Sequence, residues 1–344
     1  MTIPRLSLIA MLISASLSFP VLAAETGSPA KHPITHEDVW LMKRVGAPLP
    51  SPDGKWAVFS VTDPAYDSKE QWSDLWIKSL SDNSPPRRLT FSKGGEASLN
   101  WSPDSKHLLF VAKRDGDEAA QIYRLDLASG GEAQRLTSLT LGARSPRYSP
   151  DGKQILFVSD IYPENRSEEE VSKTAQQRKA RKYSARAYET FPPRYFDKWL
   201  DDKKVRLFVM DAELGAKPRD LLSGTRLAEL PGFGGAQGDE GQALEALWAP
   251  DGKTVVFCAS TNRDEQARAS TFTQIYSMAS SGGEPQQLTR DRHSYHSLKF
   301  TADGKALFAL TQAEQEGKVY DVTRLISFAW PFSSPTPKVL TATL

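Results

Sequence analysis

The sequence predicts an all-β fold, a β-propeller built from four-stranded blades. The prediction rests on a short turn phrase that recurs five times and on the apolar runs of strand length that flank it. The copies are Ser51–Lys55, Ser102–Lys106, Ser149–Lys153, Ala249–Lys253 and Thr301–Lys305, and they begin 51, 47, 100 and 52 residues apart. A fixed turn at a period of about 50 residues is typical of propeller blades.

The recurring phrase, of which Ser51-Pro-Asp-Gly-Lys55 is the first copy, has the composition of a hairpin turn. Asp-Gly between apolar runs favours a type I′ turn, in which both central residues take positive φ. Proline ends the incoming strand because it has no backbone N–H. The apolar runs that follow the turns are Trp56–Phe59, Leu108–Val111, Ile155–Val158 and Val255–Phe257. They are apolar on both faces, as expected for strands covered on both sides.

Two further strands complete most units. The third strand is predicted at Asp74–Ile77, Gln121–Leu125, Val205–Val209 and Gln274–Met278. The outer strand ends in Leu-Thr and is predicted at Arg88–Thr90, Arg135–Thr137, Gln287–Thr289 and Val339–Thr341. Four strands in each repeat is the propeller blade. Five blades follow, at about 40–90, 98–137, 145–222, 243–289 and 296–341, and the wide third blade carries a helical insertion over 160–204.

The insertion breaks the rhythm of the repeat. Glu168–Tyr188 contains neither Gly nor Pro and predicts a helix. Its basic cluster, which we interpret as a solvated helical face, is Arg178, Lys179, Arg181, Lys182 and Arg186. The aromatic segment Phe191–Leu200 follows, and it either packs on the blade rim or contacts a partner. The residues predicted for partner or substrate contact are Arg194, Tyr195, Asp197 and Trp199. A glycine-rich stretch, Pro231–Gly241, matches no phosphate-binding motif and is predicted to be a flexible loop.

The N-terminus predicts export. Arg5 precedes an apolar stretch, Leu6–Val21, and the small residues Ala23 and Ala24 follow, which is the pattern of a secretory signal peptide at 1–24. The stretch is too short for a membrane anchor. We therefore expect residues 25–344 to be the mature propeller, periplasmic or secreted, with no membrane span after cleavage of the signal.

Charge and cysteine content exclude several classes of protein. Outside the signal peptide the chain has 42 basic and 42 acidic side chains, which gives no indication of nucleic-acid binding. Cys258 is the only cysteine, so the chain has no internal disulfide framework. It lies in an apolar run, and a buried, inert thiol is expected.

No catalytic, cofactor or metal-binding residue is predicted. A Gly-x-Ser-x-Gly nucleophile elbow is absent; the nearest phrase, Ser280–Gly283, has Met278 where the first glycine should stand. His293 and His296 are three residues apart, but no further zinc ligand accompanies them. The recurring aspartates of the turn phrases are explained by the turn itself.

The residues carry a resemblance to a known family. Thr35–Pro48 leads into the first turn phrase, and Asp67–Glu70 and Asp74–Trp76 follow. Together they resemble the opening of exported peptidases of the prolyl oligopeptidase family, in the acylaminoacyl-peptidase or dipeptidyl-aminopeptidase-like branch. Arg194–Trp199 is similar to the third-blade insertion of that branch. The resemblance covers roughly 34–341, whereas the turn phrase alone is shared with TolB-like and WD-type propellers.

The resemblance implies a seven-bladed propeller that admits mainly peptides to a C-terminal α/β-hydrolase domain carrying Ser, Asp and His. None of those catalytic residues has a counterpart here. We therefore expect the substrate-gating portion of a serine peptidase, an incomplete propeller whose partner is peptides or a missing hydrolase domain, and poor solubility from its exposed blade faces. Two alternatives stay open. One is a stand-alone TolB-like periplasmic propeller that binds proteins, and the other is an enzyme that uses residues of the central channel.

Overall fold

The computed structural model describes residues 32–67, 69–92, 95–128, 130–185, 187–188, 194–238, 241–313 and 322–341. The predicted signal peptide and Arg186 of the basic cluster therefore lie outside the described residues. Residues up to Trp40 form a unit separate from the chain that follows. Its short helix α1 (His36–Trp40) begins at a reciprocal cap, in which Asp38 N–H donates to Thr35 Oγ1 and Thr35 N–H donates to Asp38 Oδ2.

In the unit from Leu41 onward, the described residues form five antiparallel sheets of four or five strands and two separate two-stranded hairpins. The first contains β1 (Arg44–Val45), β2 (Leu49–Pro50), β3 (Trp56–Asp63), β4 (Trp72–Ser79) and β5 (Arg87–Arg88). The second contains β6 (Glu96–Trp101), β7 (His107–Ala112), β8 (Gln121–Asp126) and β9 (Gln134–Arg135). The third begins with β10 (Arg144–Tyr148) and β11 (Gln154–Ile161).

A long connection then separates β11 from the rest of the third sheet. It contains α2 (Glu168–Lys179) and the hairpin of β12 (Arg194–Tyr195) and β13 (Lys198–Trp199), and the sheet resumes with β14 (Lys204–Asp211) and β15 (Arg219–Asp220). The link to the fourth sheet contains α3 (Arg226–Glu229) and the hairpin of β16 (Ala236–Gly238) and β17 (Gly241–Ala243).

The last two sheets follow the same plan. The fourth contains β18 (Ala246–Trp248), β19 (Thr254–Ala259), β20 (Gln274–Ala279) and β21 (Gln286–Gln287), with a 3₁₀ turn at Arg263–Glu265. The fifth contains β22 (His293–Phe300), β23 (Ala306–Ala313), β24 (Arg324–Ala329) and β25 (Lys338–Val339). The predicted all-β class and the four-stranded units are confirmed. The count of five blades in an incomplete seven-bladed propeller stays a prediction.

Apolar clusters lie between successive sheets, which explains the strands that are apolar on both faces. In β7, Leu108 and Phe110 pack towards the first sheet, whereas Leu109 and Val111 pack towards the third. In the fourth sheet, Phe257 packs towards the third sheet while its neighbours in sequence face the fifth. Because side chains alternate along a strand, a strand between two sheets must be apolar at every position.

The recurring phrase is a turn, but not of the predicted type I′. In the first copy, Gly54 N–H donates to the Ser51 carbonyl, and Gly54 has φ of 69° whereas Asp53 does not have positive φ. Proline before Asp suits a type I turn, which is then closed by a glycine in the left-handed region. The prediction was wrong because the Asp-Gly signal does not distinguish a two-residue loop from this longer one.

Side chains of the phrase hold the turn together. Ser51 Oγ donates to Asp53 Oδ1 at 2.6 Å and accepts from Trp56 N–H, while Asp53 also accepts from Lys55 N–H. The same contacts recur around Ser102, Ser149 and Thr301. The hydroxyl and the carboxylate are therefore turn-forming groups, as the sequence predicted for the aspartates.

Turns of successive copies pack on one another, which explains their Pro and Gly. A Cβ added to Gly152 would lie 3.5 Å from Pro103, one at Gly252 would lie 3.7 Å from Pro150, and one at Gly304 would lie 3.0 Å from Pro250. Ser149–Lys153 and Ala249–Lys253 are therefore neighbours in space although 100 residues separate them. The wide interval is chain inserted within and after the third sheet.

The Leu-Thr ending of the outer strands also has a structural reason. The hydroxyl of each threonine accepts a hydrogen bond from a third-strand N–H that lies beyond the short outer pairing. The acceptors are Thr90, Thr137, Thr289 and Thr341, and the donors are Leu75, Ile122, Ile275 and Leu325. The threonine side chain thus adds one hydrogen bond to the pairing of the third and outer strands, which the backbone makes over only two residues.

The predicted helix in the insertion is shorter than expected, since α2 ends at Lys179. A capping box of Ser167 and Glu170 starts it, and Val171 is its only buried residue. Beyond Lys179 the pair Arg178 and Lys182 would place like charges four residues apart, which disfavours further turns. None of the helices in the described part of the chain is long and apolar enough to cross a membrane.

Candidate functional site

The recurring turns and the long connections lie at opposite ends of the sheets. Each turn phrase joins the first strand of a sheet to the second, so in an antiparallel meander the connection from second to third strand lies at the other end. That end carries the 161–204 connection of the third sheet and the Pro231–Ala243 segment before the fourth. The candidate site is built from these two segments.

The four residues predicted for contact form one small hairpin. Arg194 pairs with Trp199 and Tyr195 pairs with Lys198, and Phe196 and Asp197 make the turn between them. The guanidinium of Arg194 lies 5.9 Å from the ring centroid of Trp199. Phe196 has φ of 49°, a left-handed conformation that non-glycine residues seldom adopt.

Aromatic side chains of this hairpin are exposed to solvent. Trp199 is 60% exposed, and the Tyr188 ring lies 5.9 Å from it. Tyr188 Oη donates to the Leu200 carbonyl at 3.0 Å, which ties the chain before the hairpin to the chain after it. Tyr195 and Trp199 line a cavity of about 220 Å³ together with Asp160 and Gln242, while Arg194 and Asp197 are not among its lining residues. The structure therefore brings two of the four predicted residues to one concavity.

Arg178 anchors α2 to the chain that enters β14. Its guanidinium donates to Asp202 at 2.6 and 2.8 Å and lies 3.9 Å from the Tyr162 ring centroid. These bonds lower the pKa of Asp202 to about 2 and raise the pKa of Arg178. Lys179 is exposed, as a solvated face requires, but Arg178 is a packed tether. The solvated-face interpretation is therefore wrong for Arg178, because a carboxylate 24 residues later in the chain binds it.

The glycine-rich stretch is not the flexible loop that the sequence predicts, at least where the structure describes it. Gly234 exchanges two backbone hydrogen bonds with Ser260, and Phe233 is buried between them and the third sheet's core. A Cβ at Gly235 would lie 1.9 Å from the Ala243 carbonyl, and one at Gly232 would lie 2.4 Å from the Thr261 carbonyl. Glycine is required here for close approach of backbones rather than for mobility.

An ion pair within the third sheet also binds the glycine-rich segment. Arg144 donates to both oxygens of Asp160, at 3.0 and 2.8 Å, and also to the Gln242 carbonyl at 2.6 Å. Arg144 belongs to the innermost strand of the third sheet and Gln242 to β17. Two-pronged Arg–carboxylate contacts fix geometry well, so this group sets the position of the glycine-rich segment against the third sheet.

A second cavity, of about 410 Å³, opens beside the first. Its lining includes Lys204, Arg263 and Phe233 as well as the acidic pair Asp201 and Asp202. Sequence reasoning did not single out Lys204 or Arg263. Lys204 could have been found as a charged residue at the start of an apolar strand, whereas Arg263 lies in a polar connection and has no local signal.

Histidine contacts in the described residues do not assemble a catalytic triad. His296 Nδ1 lies 3.0 Å from Ser297 Oγ, but no carboxylate of the described chain pairs with this imidazole. His293 Nδ1 lies 3.2 Å from Asp291, which also accepts from the Tyr295 hydroxyl at 2.7 Å and from the His293 N–H at 3.3 Å. Within the same residues, no three His, Cys, Asp or Glu side chains cluster as metal ligands would. What this end of the molecule offers chemically is binding by charge and aromatic surface.

Cys258 is buried among the apolar residues between the fourth and fifth sheets. Burial raises the pKa of its thiol, and the Glu245 carboxylate raises it further. The thiol is thus held protonated, in agreement with the inert role expected for it.

Comparison with known proteins places this architecture among propellers. The family model PD40, the TolB β-propeller domain, matches residues 39–192. Dipeptidyl-peptidase 5 of Porphyromonas endodontalis is 25% identical over 331 residues, which are 93% of this chain and 45% of that protein. The chain is similar to the propeller portion of prolyl oligopeptidase-family peptidases. The resemblance seen in the sequence is thereby confirmed.

Solved structures of propeller-containing proteins share this fold. An acylaminoacyl peptidase in complex with Z-Gly-Gly-Phe-chloromethyl ketone superposes with a TM-score of 0.61 at 15% identity, over 90% of this chain and 41% of that one. A protein described as putative TolB from Agrobacterium tumefaciens superposes with a TM-score of 0.51 at 16% identity, over 87% and 80%. The chain spans less than half the length of the peptidases that it matches.

Proposed function

We propose that this chain is the substrate-gating propeller of an exported serine peptidase, and that the α/β-hydrolase domain that cleaves the peptide lies outside these 344 residues. The observation that carries the proposal is the match to Dipeptidyl-peptidase 5, which extends over 93% of this chain and only 45% of that protein. A Gly-x-Ser-x-Gly phrase is missing from the 344 residues, so the nucleophile must come from elsewhere.

The end of the sheets that carries the long connections supplies the gate. The hairpin of β12 and β13 presents Tyr195 and Trp199 at a cavity, and Arg144 with Asp160 holds the opposite wall. Exposed aromatic rings on a pinned hairpin suit the contact of extended peptides, since they supply large area with few rotamers to fix. Arg194 and Asp197 then contact the ligand or the hydrolase domain from the outer side of the hairpin.

Export is part of the proposal. The signal pattern at 1–24 and the one buried cysteine both suit a mature chain, 25–344, that acts in the periplasm or outside the cell. The partners are peptides and the hydrolase domain, and neither nucleic acid nor a membrane span is involved.

Hydrolysis and labelling assays test whether the catalytic serine lies outside this chain. The purified chain is offered a panel of chromogenic aminoacyl and dipeptidyl substrates, with a fluorophosphonate serine probe in parallel. We expect neither turnover nor labelling, together with micromolar to millimolar binding of short peptides by calorimetry. Stoichiometric labelling with turnover would show a nucleophile in this chain and overturn the proposal.

A stand-alone TolB-like binding module is the second candidate. The match of the TolB β-propeller domain to 39–192 favours it, as does the superposition over 80% of the Agrobacterium protein. This function predicts tight binding of a folded protein and none of short peptides. The same calorimetry therefore separates the two candidates.

A further inference from the structure

Two cations of the 410 Å³ cavity have no carboxylate of the described residues within ion-pair distance. They are Arg263, which is only 8% exposed, and Lys204. Among the described residues, the side chain of Arg263 has a neutral hydrogen-bond partner, the Gln237 Oε1 atom at 3.1 Å. A guanidinium has five N–H donors, and this bond uses one of them.

The acidic residues that share the cavity are paired with other cations. Asp202 is bound by both terminal nitrogens of Arg178, and Asp201 lies 3.1 Å from Lys203 Nζ. Glu164 lies 3.6 Å from Arg178. Two cations thus serve three carboxylates, and Lys204 and Arg263 bring the net charge of the whole group to +1.

Burial makes this positive charge costly. Burial lowers the pKa of Arg263, and burial together with Arg206 and Arg263 lowers the pKa of Lys204, although Asp202 and Asp264 oppose that shift. A buried cation without a partner is unfavourable unless a ligand supplies the opposite charge. Ionisable groups whose pKa is shifted by burial are concentrated at functional sites.

The rest of the lining suits an organic anion better than a bare inorganic one. Phe233, Pro231 and Tyr188 supply apolar surface beside the two cations. The volume lies in the range of small-ligand sites and can hold a few residues of a peptide. A carboxylate matches both groups, because it accepts two bonds from guanidinium and one from ammonium.

We propose that this cavity binds a carboxylate group of a peptide, held between the Lys204 ammonium and the Arg263 guanidinium, with the adjoining residues of the peptide on Pro231 and Tyr188. This inference rests on the proposed peptide-binding function and names the class of peptide that it takes. The carboxylate comes from the C-terminus of the peptide or from an acidic side chain.

Calorimetry with matched peptides tests the proposal on the full chain. The probes are N-acetyl-tetraalanine as free acid, the same peptide as amide, and N-acetyl-Ala-Ala-Glu-Ala amide. We expect the free acid to bind at least tenfold more tightly than the amide. The glutamyl peptide distinguishes the sources, since it matches the free acid if a side chain suffices and the amide if the C-terminus is required.

Variants assign the effect to the two cations. Lys204→Met should remove the preference for the acid, and Lys204→Arg should keep most of it because the charge is retained. Arg263→Met should act like Lys204→Met, provided that its thermal melt shows a folded chain. Lys153→Met, in an exposed turn at the far end of the sheets, should bind as the parent does. Equal binding of acid and amide by the parent chain, or an unchanged preference in Lys204→Met, would overturn the inference.

Different experimental results would reject the carboxylate site and the proposed peptide-binding function. If the free acid and the amide bind equally well, the peptide-binding function is retained and the carboxylate site is rejected. If no peptide binds, acetate is titrated against the chain with ¹³C-methylated lysines. A resonance shift that disappears in Lys204→Met would then keep the carboxylate site and reject peptides as its ligand, and no such shift would reject both.

Discussion

Arg206 and Asp220 form a buried ion pair between β14 and β15, with Nε 3.7 Å from Oδ2. The strand registers place them where Asp74 and Arg88 lie in the first sheet, so the pair is repeated with its charges exchanged. In the second and fourth sheets the inner position is Gln121 or Gln274, whose amides bond to backbone carbonyls. A buried polar side chain thus recurs at the start of the third strand. Where it is charged, its partner on the outer strand carries the opposite charge.

Exchanging the charges of this pair tests whether it is a unit. Arg206→Asp and Asp220→Arg should each lower the free energy of unfolding by about 3–5 kcal/mol, because each leaves like charges buried together. The double variant recreates the order found in the first sheet, and we expect it to recover about 2 kcal/mol relative to the sum of the singles. Denaturant unfolding measures this, and a double variant as unstable as the sum would show no coupling.

The pH dependence of stability should report Asp220. Burial raises its pKa to about 6, although Arg206 opposes the shift. A carboxyl whose pKa is higher in the folded state than in the unfolded state, where it is about 3.9, stabilises below pH 4. That contribution, about 2–3 kcal/mol, is lost as pH rises from about 4 to 6.

Asp220→Asn isolates that contribution. The free energy of unfolding of the parent chain, relative to that of Asp220→Asn, should fall between pH 4 and pH 6 and stay level above it. Two parallel curves over this window would mean that the carboxyl titrates normally in the fold.

The fourth turn phrase has no hydroxyl at its first position, and a threonine after the turn supplies one instead. Ala249 stands where other copies have Ser or Thr, and the Thr254 hydroxyl donates to Asp251 at 2.7 Å instead. Thr254→Val should therefore cost about 1 kcal/mol of stability, the value of one such hydrogen bond. Adding Ala249→Ser should restore most of it, as measured by chemical unfolding. A double variant less stable than Thr254→Val would contradict this account.

Close backbone approach at Gly235 predicts a large effect of one methyl group. Gly235→Ala would place a Cβ 1.9 Å from the Ala243 carbonyl, so the segment must move and the melting temperature should fall by several degrees. Gly215→Ala is the matched control, since that site has φ of 78° but open space around it. It should cost only about 1 kcal/mol from backbone strain. Equal losses at both sites would mean that the glycine-rich segment is not packed in solution.

Local signals predicted the sheets well and their details less well. The apolar runs and turn phrases placed the second and third strands of the first four sheets correctly, because alternation and turn chemistry are properties of short segments. The turn type was wrong, since Gly54 alone takes positive φ. The helix was predicted to run to Tyr188 and ends at Lys179, because propensity does not register the repulsion between like charges four residues apart, as at Arg178 and Lys182.

The candidate site was only partly predictable. Tyr195 and Trp199 were found because aromatic residues clustered in an insertion stand out against a regular repeat. Arg144, Lys204 and Arg263 were missed, since each acts with residues far away in sequence. Gln242, which Arg144 binds, is 98 residues further along the chain.

By itself the sequence determined the repeat, the all-β class and the relationship to peptidase propellers. Each of these can be predicted from segments of a few residues, because turn chemistry and apolar alternation are local properties of the chain. The tertiary structure alone decided that the third and fourth turn phrases are neighbours, that the glycine-rich segment is packed, and that Lys204 and Arg263 line one cavity. Those facts depend on which distant segments touch, and contact between distant segments is set by the packing of whole sheets rather than by any local pattern.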